Sequence, residues 1–340
     1  MADILVTSRS FDDGDVDFTE YLTGLGHRVL RGPAHHELTE LAEALATADA
    51  WIAGTGPVTE QHMAAAPKLR VIARYGVGVE AVDVEAAAAR GIVVSNTPGA
   101  NSDAVADHAV GLILAALRHT VAGDRRVRTG DWSVRRGRQL GAATVGIIGF
   151  GRIGQGVARR LSGFGATVLA SDPFLGADRI TAAGATPASI DDVFERADVI
   201  SLHAPGGEIV VTQARLGTVR TGTVIVNTAR ADLVDEATLA QALREGALGF
   251  YAADVMHGDT AGNDGPLLAA DLADRVVITP HLGAQTSQAV DGMGRIAVQN
   301  ALAVLASDTP PNPVNAPTNT SPAATTRIPA NNTNAPGTDR

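Results

Sequence analysis

The sequence predicts an α/β fold that contains two doubly wound parallel sheets. Short apolar runs alternate with helical patterns over the first hundred residues, and a second series of the same kind begins at Thr144. Such alternation is typical of parallel sheets with helices on both faces. A chain of 340 residues is long enough for two domains, each with its own core.

The elements follow from the periodicity of apolar residues and from Gly and Pro at the joins. The first series has five strand-like runs: Ile4–Thr7, His27–Leu30, Ala50–Ala53, Arg70–Ala73 and Ile92–Ser95. The second has six: Val145–Ile148, Thr167–Ser171, Val199–Leu202, Val224–Asn227, Phe250–Ala253 and Val276–Ile278. Helices are predicted over Glu37–Ala46, Val84–Ala89, Ser102–Arg118, Arg152–Ser162 and Gln285–Ser307, with a polar stretch between Arg118 and about Arg138.

Composition excludes several classes of function. A net charge of −10 disfavours nucleic-acid binding, which needs a basic surface. The chain has no cysteine, and we expect neither disulfides nor a metal site. No apolar run reaches membrane-spanning length, and the N-terminus lacks the basic region of a signal peptide, so we expect no membrane association and a cytoplasmic location.

The last 32 residues, from Thr309 to Arg340, differ from the rest of the chain. They hold seven of its 16 prolines and are otherwise rich in Thr, Asn and Ala. Without hydrophobic periodicity this segment cannot bury enough apolar surface to offset the entropy of ordering, so it is predicted to be a disordered tail.

The stretch VGIIGFGRIG, residues 145–154, joins a buried strand to a helix through a glycine-rich turn. Gly149 permits the tight turn, Gly151 lets the backbone approach a phosphate, and Gly154 lets the helix pack on the sheet. The first helical residues, Arg152 and Ile153, offer backbone N–H groups to an anion. This pattern predicts a dinucleotide pyrophosphate site.

The next strand ends at Asp172, 23 residues after Gly149. A carboxylate at this place can accept hydrogen bonds from the adenosine ribose hydroxyls and repel the additional phosphate of NADP. The cofactor is therefore predicted to be NAD. An acid that only caps the following turn is the alternative interpretation.

Six motifs in order give the chain a family resemblance. They are RYGVG (74–78), NTPGAN (96–101), VGIIGFGRIG (145–154), NTAR (227–230), ADV (253–255) and TPHLG (279–283). Together they resemble the D-isomer-specific 2-hydroxyacid dehydrogenases, and most closely the short phosphoglycerate dehydrogenases. The similarity extends over roughly residues 1–315.

The resemblance implies a Rossmann NAD domain, residues 99–284, inserted into a flavodoxin-like substrate domain made of residues 1–98 and 285–308. The active site of this family lies in the cleft between the two domains, and its members are generally homodimers or higher homo-oligomers. The family's regulatory C-terminal domain is not expected here, because the chain ends in the low-complexity tail.

Two catalytic residues follow predicted strands, at the edge where open α/β sheets bind ligands. Arg230 can bind a substrate carboxylate through two parallel hydrogen bonds and polarise the 2-oxo group. His281, within TPHLG, is the predicted general acid–base that takes the hydroxyl proton in oxidation. A surface arginine is the alternative for Arg230 by position, and the NTAR motif argues against it.

The acid that orients the catalytic histidine departs from the family pattern. The family has a glutamate five residues after the aspartate that corresponds to Asp254, followed by proline, whereas this chain has Asp259 and Thr260. Two interpretations remain: a working Asp259–His281 pair, or a weakened pair with slower turnover or an altered pH dependence. Asp254 itself is expected, by resemblance, to contact the nicotinamide amide.

The remaining site residues are also implied by the resemblance. Substrate binding is assigned to Arg74, to Asn101 and to the backbone N–H groups of Val77 and Gly78. Further cofactor contacts are assigned to His203, Pro205, Thr228, Ala229 and Gly283. Arg135, Arg136 and Arg138 form a basic cluster with two interpretations. The cluster either binds a substrate 3-phosphate, in its own subunit or across a subunit interface, or it is a solvated basic loop.

The predicted function is hydride transfer between the nicotinamide of NAD and C2 of a small D-2-hydroxy or 2-oxo acid. The preferred substrate is 3-phosphoglycerate, which would place the chain in serine biosynthesis, with glyoxylate or hydroxypyruvate reduction as the alternative. An NAD(H)-sensing, corepressor-like binding protein is the alternative from another class. Oxidation of phosphite or formate is the least favoured.

Overall fold

A computed structural model of the chain describes residues 1–258 and 265–315. It divides into a first unit, Met1–Asn101 with Thr286–Arg340, and a second unit, Ser102–Gln285. The chain passes between the two units after Asn101 and after Gln285, whereas the predicted domains change after residues 98 and 284.

The first unit contains a five-stranded parallel sheet in the order β2-β1-β3-β4-β5. This order, 2-1-3-4-5, is that of flavodoxin-like folds. The strands are β1 (Asp3–Val6), β2 (Arg28–Arg31), β3 (Ala50–Ala53), β4 (Val71–Arg74) and β5 (Val93–Ser95). Strands β3, β4 and β5 are buried along their whole length, as expected for strands covered by helices on both faces.

Among the residues described, five helices belong to this unit. They are α1 (Phe18–Gly24), α2 (Leu38–Thr47), α3 (Glu60–Ala64), α4 (Val84–Ala89) and, from the end of the chain, α12 (Ser287–Leu305). Asp17 and Asp83 cap α1 and α4 by accepting hydrogen bonds from backbone N–H groups in the first turn. Arg70 donates to the carbonyls of Val304 and Leu305 and so satisfies the free C-terminal end of α12.

The second unit contains a seven-stranded parallel sheet in the order β12-β11-β10-β9-β6-β7-β8. The strands are β6 (Thr144–Ile148), β7 (Thr167–Ser171), β8 (Thr186–Pro187), β9 (Val199–Leu202), β10 (Thr223–Asn227), β11 (Leu248–Ala253) and β12 (Val276–Ile278). The strand order reverses between β6 and β9, as in a Rossmann fold. Ligands of such sheets bind outside the carboxyl ends of the strands at that point.

The helices of the second unit are α5 (Ser102–Leu117), α6 (Thr120–Arg128), α7 (Arg152–Ser162), α8 (Ala177–Ala182), α9 (Ile190–Arg196), α10 (Gln213–Leu216) and α11 (Glu236–Glu245). Helix α6 corrects the sequence prediction, which assigned a polar stretch there. It was missed because Ala122 is its one buried residue, so its sequence carries almost no apolar periodicity.

The start of the predicted disordered tail is also corrected. Strand β5 lies at the edge of the first sheet, and residues 312–315 pair with it: Val314 N donates to Val94 O at 2.7 Å, and Asn315 Oδ1 accepts from Val94 N at 2.6 Å. Composition does not reveal the free backbone groups that an edge strand offers to a later segment. Residues 316–340 lie outside the described part, so the prediction for them stays untested.

The predicted α/β class with two doubly wound parallel sheets is confirmed. Within the described ranges, no single helix is long and apolar enough to cross a membrane, and α5 with α6 passes that test only as a pair bent by 60°.

Candidate active site

The glycine turn after β6 has the geometry that the sequence predicts. Gly149 has φ +89°, and a Cβ there would lie 2.5 Å from the carbonyl carbon of His203. A Cβ at Gly154 would lie 2.3 Å from the carbonyl oxygen of Gly149. Both positions therefore require glycine.

Gly151 differs, because a Cβ there would meet no atom within 4 Å. The space beside its backbone is open, and it lies at the N-terminal end of α7, where first-turn N–H groups such as those of Arg152 and Ile153 have no partner within the helix. Open space next to backbone donors and the positive end of a helix dipole fits a pyrophosphate.

Asp172 lies at the carboxyl end of β7 beside this turn. Its Oδ2 accepts a hydrogen bond of 2.7 Å from Phe150 N, and its Oδ1 accepts one of 2.8 Å from Phe174 N. The capping role, the alternative interpretation, is thus present. A carboxylate has about four lone-pair positions, so the capped Asp172 can still accept from ribose hydroxyls.

His203 and Pro205 follow β9 across the switch point from the turn. His203 N donates to Ile148 O at 2.7 Å, and Nε2 lies 2.9 Å from Ser201 Oγ. Burial lowers the pKa of His203 to about 4, so this imidazole is neutral at physiological pH. Its Nδ1 is buried without a hydrogen-bond partner among the described residues, which fits a contact completed by a ligand.

Arg230 is positioned by a turn at the carboxyl end of β10. The fully buried Asn227 accepts from Ala229 N at 3.0 Å and donates to Arg230 O at 2.8 Å. Arg230 Nη1 donates to Ala229 O at 2.8 Å. Thr228 Oγ1 is buried without a partner in the described part of the chain, so this turn too has a polar group available to a bound cofactor.

His281 follows β12 in an exposed loop and has φ +57°, in the left-handed region that few residues other than glycine adopt. Strand β11 separates β10 from β12, with Asn227 opposite Ala253 and Ala253 opposite Ile278. Because neighbouring strands lie about 4.8 Å apart, Arg230 and His281 project from strand ends roughly 10 Å apart on the same edge. Residues at such a separation can contact one small ligand.

Asp254, at the end of β11, holds the loop that carries His281. Its carboxylate, 3% exposed, accepts hydrogen bonds of 2.7 Å from Leu282 N and from Gly283 N. A Cβ at Gly283 would come within 3.0 Å of Oδ2, so glycine permits this approach. The contact of Asp254 with the nicotinamide amide stays a prediction.

Two further residues, which the sequence analysis did not single out, bind the same carboxylate. Thr279 Oγ1 donates to Asp254 Oδ1 at 2.5 Å, and His108 Nε2 lies 3.3 Å from the same oxygen. Burial raises the pKa of Asp254, but these bonds and those of the loop N–H groups outweigh it and hold the pKa below its usual range. Asp254 is therefore ionised at neutral pH. No local sequence signal marked His108, which lies within the largely buried helix α5.

Asp259, the predicted partner of His281, lies outside the described residues, so its role stays a prediction.

In the first unit, the predicted substrate-binding residues lie at and beyond the carboxyl end of β4. Arg74 is 8% exposed and donates to Ala53 O at 3.2 Å and to Tyr75 O at 2.8 Å. The described residues contain no acceptor for the N–H groups of Val77 and Gly78, which fits an anion receptor. Asn101 Oδ1 is likewise buried without a partner in the described ranges.

The arginine cluster lies elsewhere. Arg138 pairs with Asp198 at 2.9 Å, and Asp198 Oδ2 accepts from Thr144 N, at the beginning of β6. Together with Arg135 and Arg136 it lines a cavity of about 320 Å³ at the amino ends of the strands. The prediction that these residues reach a substrate phosphate is therefore wrong for the site of the same chain, since Arg230 and His281 lie at the opposite edge of this sheet.

The fold and the glycine turn define a dinucleotide-binding α/β protein. A family described as "D-isomer specific 2-hydroxyacid dehydrogenase, NAD binding domain" matches residues 110–283. The chain is 39% identical over 283 residues to D-3-phosphoglycerate dehydrogenase of Mycobacterium leprae, covering 82% of this chain and 53% of that protein. It is 35% identical over 270 residues to glyoxylate reductase of Korarchaeum cryptofilum, covering 77% and 80%.

A crystal structure of the TT0316 protein from Thermus thermophilus aligns with a TM-score of 0.81 and 34% identity, covering 92% of this chain and 99% of that one. The chain belongs to the D-isomer-specific 2-hydroxyacid dehydrogenase family, and its second unit is the family's NAD-binding domain. It spans about half the length of the curated phosphoglycerate dehydrogenases that it matches.

Proposed function

We propose that the chain is an NAD-dependent oxidoreductase that interconverts a small D-2-hydroxy acid and its 2-oxo acid. One observation carries the proposal. Arg230 and His281 follow strands at the same sheet edge as the glycine turn, so a guanidinium and an imidazole stand on the edge where the dinucleotide binds. The family membership supports the same reaction.

In this mechanism Arg230 binds the substrate carboxylate and polarises the oxygen on C2. His281 accepts the proton of the C2 hydroxyl in oxidation and returns it in reduction. NAD, when bound, supplies the acceptor for the hydride that leaves C2. The groups that hold it are the turn of Gly149, Gly151 and Gly154 with the N–H groups of Arg152 and Ile153, and Asp172 for the adenosine ribose.

The orienting acid completes the proposed mechanism. We propose that Asp259, which lies outside the described residues, orients the ring of His281 and favours its protonated form, as an acid beside an imidazole does. The carboxylate is one methylene shorter than the family's glutamate. A direct pair and a weakened pair therefore predict different pH dependences of the rate, and a pH–rate profile of Asp259→Glu distinguishes them.

For the substrate we propose 3-phosphoglycerate, which is supported by the phosphoglycerate dehydrogenases at 39–40% identity. The position of Arg135, Arg136 and Arg138 at the amino edge removes the same-chain phosphate contact. Only a phosphate contact across a subunit interface then remains for these arginines, and a smaller acid, glyoxylate or hydroxypyruvate, is the second candidate. The glyoxylate reductase at 35% identity supports it.

We further propose that the chain forms a homodimer or a larger homo-oligomer. Trp132 and Val134, two residues apart on the segment after α6, are 77% and 94% exposed, and apolar side chains exposed close together are a feature of association surfaces. The cytoplasmic location and the role in serine biosynthesis remain predictions.

The test is the oxidation of NADH, followed at 340 nm, with glyoxylate, hydroxypyruvate, pyruvate, 2-oxoglutarate and 3-phosphohydroxypyruvate. We expect turnover of at least one acid, and a preference for the phosphorylated one supports 3-phosphoglycerate. Tight binding of NADH without turnover of any acid contradicts the proposal and indicates an NAD(H) sensor.

A further inference from the structure

A hydrogen-bonded chain of three side chains runs from helix α5 to the His281 loop. His108 Nε2, on α5, lies 3.0 Å from Thr279 Oγ1 and 3.3 Å from Asp254 Oδ1. Thr279 Oγ1 lies 2.5 Å from Asp254 Oδ1. The three groups lie within the second unit, behind the loop.

The direction of each bond follows from the donors available. An ionised carboxylate only accepts, and the Thr279 hydroxyl lies nearer to Asp254 Oδ1, at 2.5 Å, than to Ala253 O, at 3.3 Å, so its single proton points to Asp254. The Thr279 oxygen is then free to accept, and His108 must carry its proton on Nε2 to bond it. His108 thus donates into a chain that ends on Asp254, and each bond in such a chain strengthens the next.

Asp254 in turn fixes the backbone on both sides of His281. The loop N–H groups of Leu282 and Gly283 donate to it from one side, and the Thr279 side chain does so from the other. His281 N also closes a tight turn on Thr279 O at 2.9 Å. A left-handed residue that is not glycine costs energy and persists where surrounding bonds impose it. The Asp254 clamp supplies those bonds.

Helix α5, which carries the first of the three hydrogen-bonded side chains, is fixed by its packing in the core. Ala106, Ala109, Leu112 and Ile113 pack into the core of the second unit, and each is less than 5% exposed. His108 projects from this helix with its side chain 22% exposed. Its position is therefore set by the helix rather than by the loop that it supports.

We propose that His108 is a positioning residue for the acid–base His281, which it acts on through Thr279 and Asp254. The inference deepens the proposed function and rests on it. His108 is not assigned a contact with substrate or cofactor. Its role is to hold the carboxylate that holds the loop, and its loss lowers the fraction of molecules in which His281 faces the substrate correctly.

The principal test compares His108→Ala with His108→Gln, because the Gln amide can place a donor near the former Nε2. We expect His108→Ala to lower kcat about tenfold, with KM for the 2-oxo acid and Kd for NADH within about twofold of wild type. We expect His108→Gln to recover most of that loss. Asp107→Ala, an exposed neighbour on the same helix, is the matched control and keeps the wild-type kcat.

A second measurement does not depend on turnover. Hydrogen–deuterium exchange of the peptide covering residues 279–284 reports the protection of the Leu282 and Gly283 amides. Exchange there should be faster in His108→Ala than in wild type and unchanged in Asp107→Ala. Thr279→Val, which keeps the shape but removes the hydroxyl, should reproduce both effects if His108→Ala does not fold.

The outcomes separate the two proposals. If the wild type oxidises NADH but His108→Ala and Thr279→Val retain kcat and slow exchange, the positioning role is refuted and the proposed function stands. If no 2-oxo acid is turned over, the proposed function fails, and with it the catalytic part of the inference. An equal loss in His108→Ala and His108→Gln, without faster exchange, also overturns the positioning role.

Discussion

The carboxylate of Asp172 accepts a hydrogen bond of 2.7 Å from the backbone N–H of Phe150, so the acid that ends β7 also holds the turn that ends β6. The same carboxylate caps the N–H of Phe174. Deleting this side chain would therefore disturb the turn and remove the charge together, and a test of cofactor choice must separate the two effects.

Asp172→Asn keeps the shape and removes the negative charge, but only one of the two oxygens that accept from Phe150 N and Phe174 N remains, so Tm is measured beside the kinetics to report the disturbance of the turn. Because repulsion of the NADP phosphate is lost, we expect the ratio of kcat/KM for NADPH to that for NADH to rise at least about tenfold, the effect of about 1.4 kcal/mol. Asp178→Asn, on nearby α8, should leave the ratio unchanged. An unaltered ratio in Asp172→Asn would remove this residue from the ribose site.

Alanine substitutions at two glycines of the turn should have opposite effects on stability and on NADH affinity. A methyl group at Gly151 meets no protein atom, so Gly151→Ala should fold with unchanged Tm and yet bind NADH at least about tenfold more weakly, because the methyl group occupies the phosphate space. In Gly154→Ala the added Cβ meets the backbone of Gly149, and Tm should fall. Tm and fluorescence titration with NADH measure the two effects, and Gly176→Ala, also in open space, is the control. Full NADH affinity in Gly151→Ala would be inconsistent with a pyrophosphate at this turn.

His281→Asn is a sharper test of proton transfer than an alanine variant, since asparagine adopts the left-handed backbone more readily than most residues. We expect kcat to fall at least about a hundredfold, the lower end for loss of a general acid–base, with NADH affinity retained. Steady-state kinetics and NADH titration give both values. His27→Asn, immediately before β2 in the first unit, is the control and should be as active as wild type. Near-normal turnover in His281→Asn would falsify the assignment of His281 as the acid–base.

Arg230→Lys keeps the positive charge but loses the planar pair of donors. A hydrogen bond to a charged group contributes about 1.5–3 kcal/mol, so we expect kcat/KM for the 2-oxo acid to fall by about 10- to 100-fold, mostly through KM. Arg179→Lys on α8 is the control for a surface arginine. Unchanged kinetics would indicate that Arg230 does not bind the substrate carboxylate.

The burial of His36, in the first unit, predicts that the folded protein loses stability in acid. It is 1% exposed, and burial lowers its pKa from 6.5 to about 4. Above pH 6.5 the histidine is neutral in both states and stability is full. Below that pH the unfolded chain takes up a proton that the folded chain refuses, so stability falls until about pH 4.

Urea unfolding at pH 7.5 and pH 5 measures this effect. From the pKa difference we expect His36 to contribute about 2 kcal/mol to the loss of unfolding free energy between these values. His36→Asn, which tolerates the left-handed φ of 59°, should reduce the loss by that amount. The exposed His35→Asn should not, and an equal pH dependence in all three proteins would contradict the role of His36.

Local sequence patterns predicted most of the strands and helices. Strands β3, β7, β9 and β12 and helices α4 and α7 have the bounds predicted from apolar periodicity and glycine punctuation, because each pattern acts within one element. The glycine turn was predictable for the same reason. Its three glycines, the strand before them and the helix after them are contiguous in the chain.

Contacts between distant residues were decided only by the tertiary structure. Nothing local marks His108 as a partner of Thr279, 171 residues further along, or shows that Arg138 pairs with Asp198 at the amino edge of the sheet. The pairing of Val314 with Val94 likewise depends on which strand lies at the sheet edge. The sequence alone determined the parallel α/β elements and the dinucleotide turn, since their physics is short-range. The order and direction of the strands decide the rest. They bring Asp254 next to the His281 loop and place the arginines at the amino ends of the strands. They also leave β5 at the edge of the first sheet, where residues 312–315 pair with it.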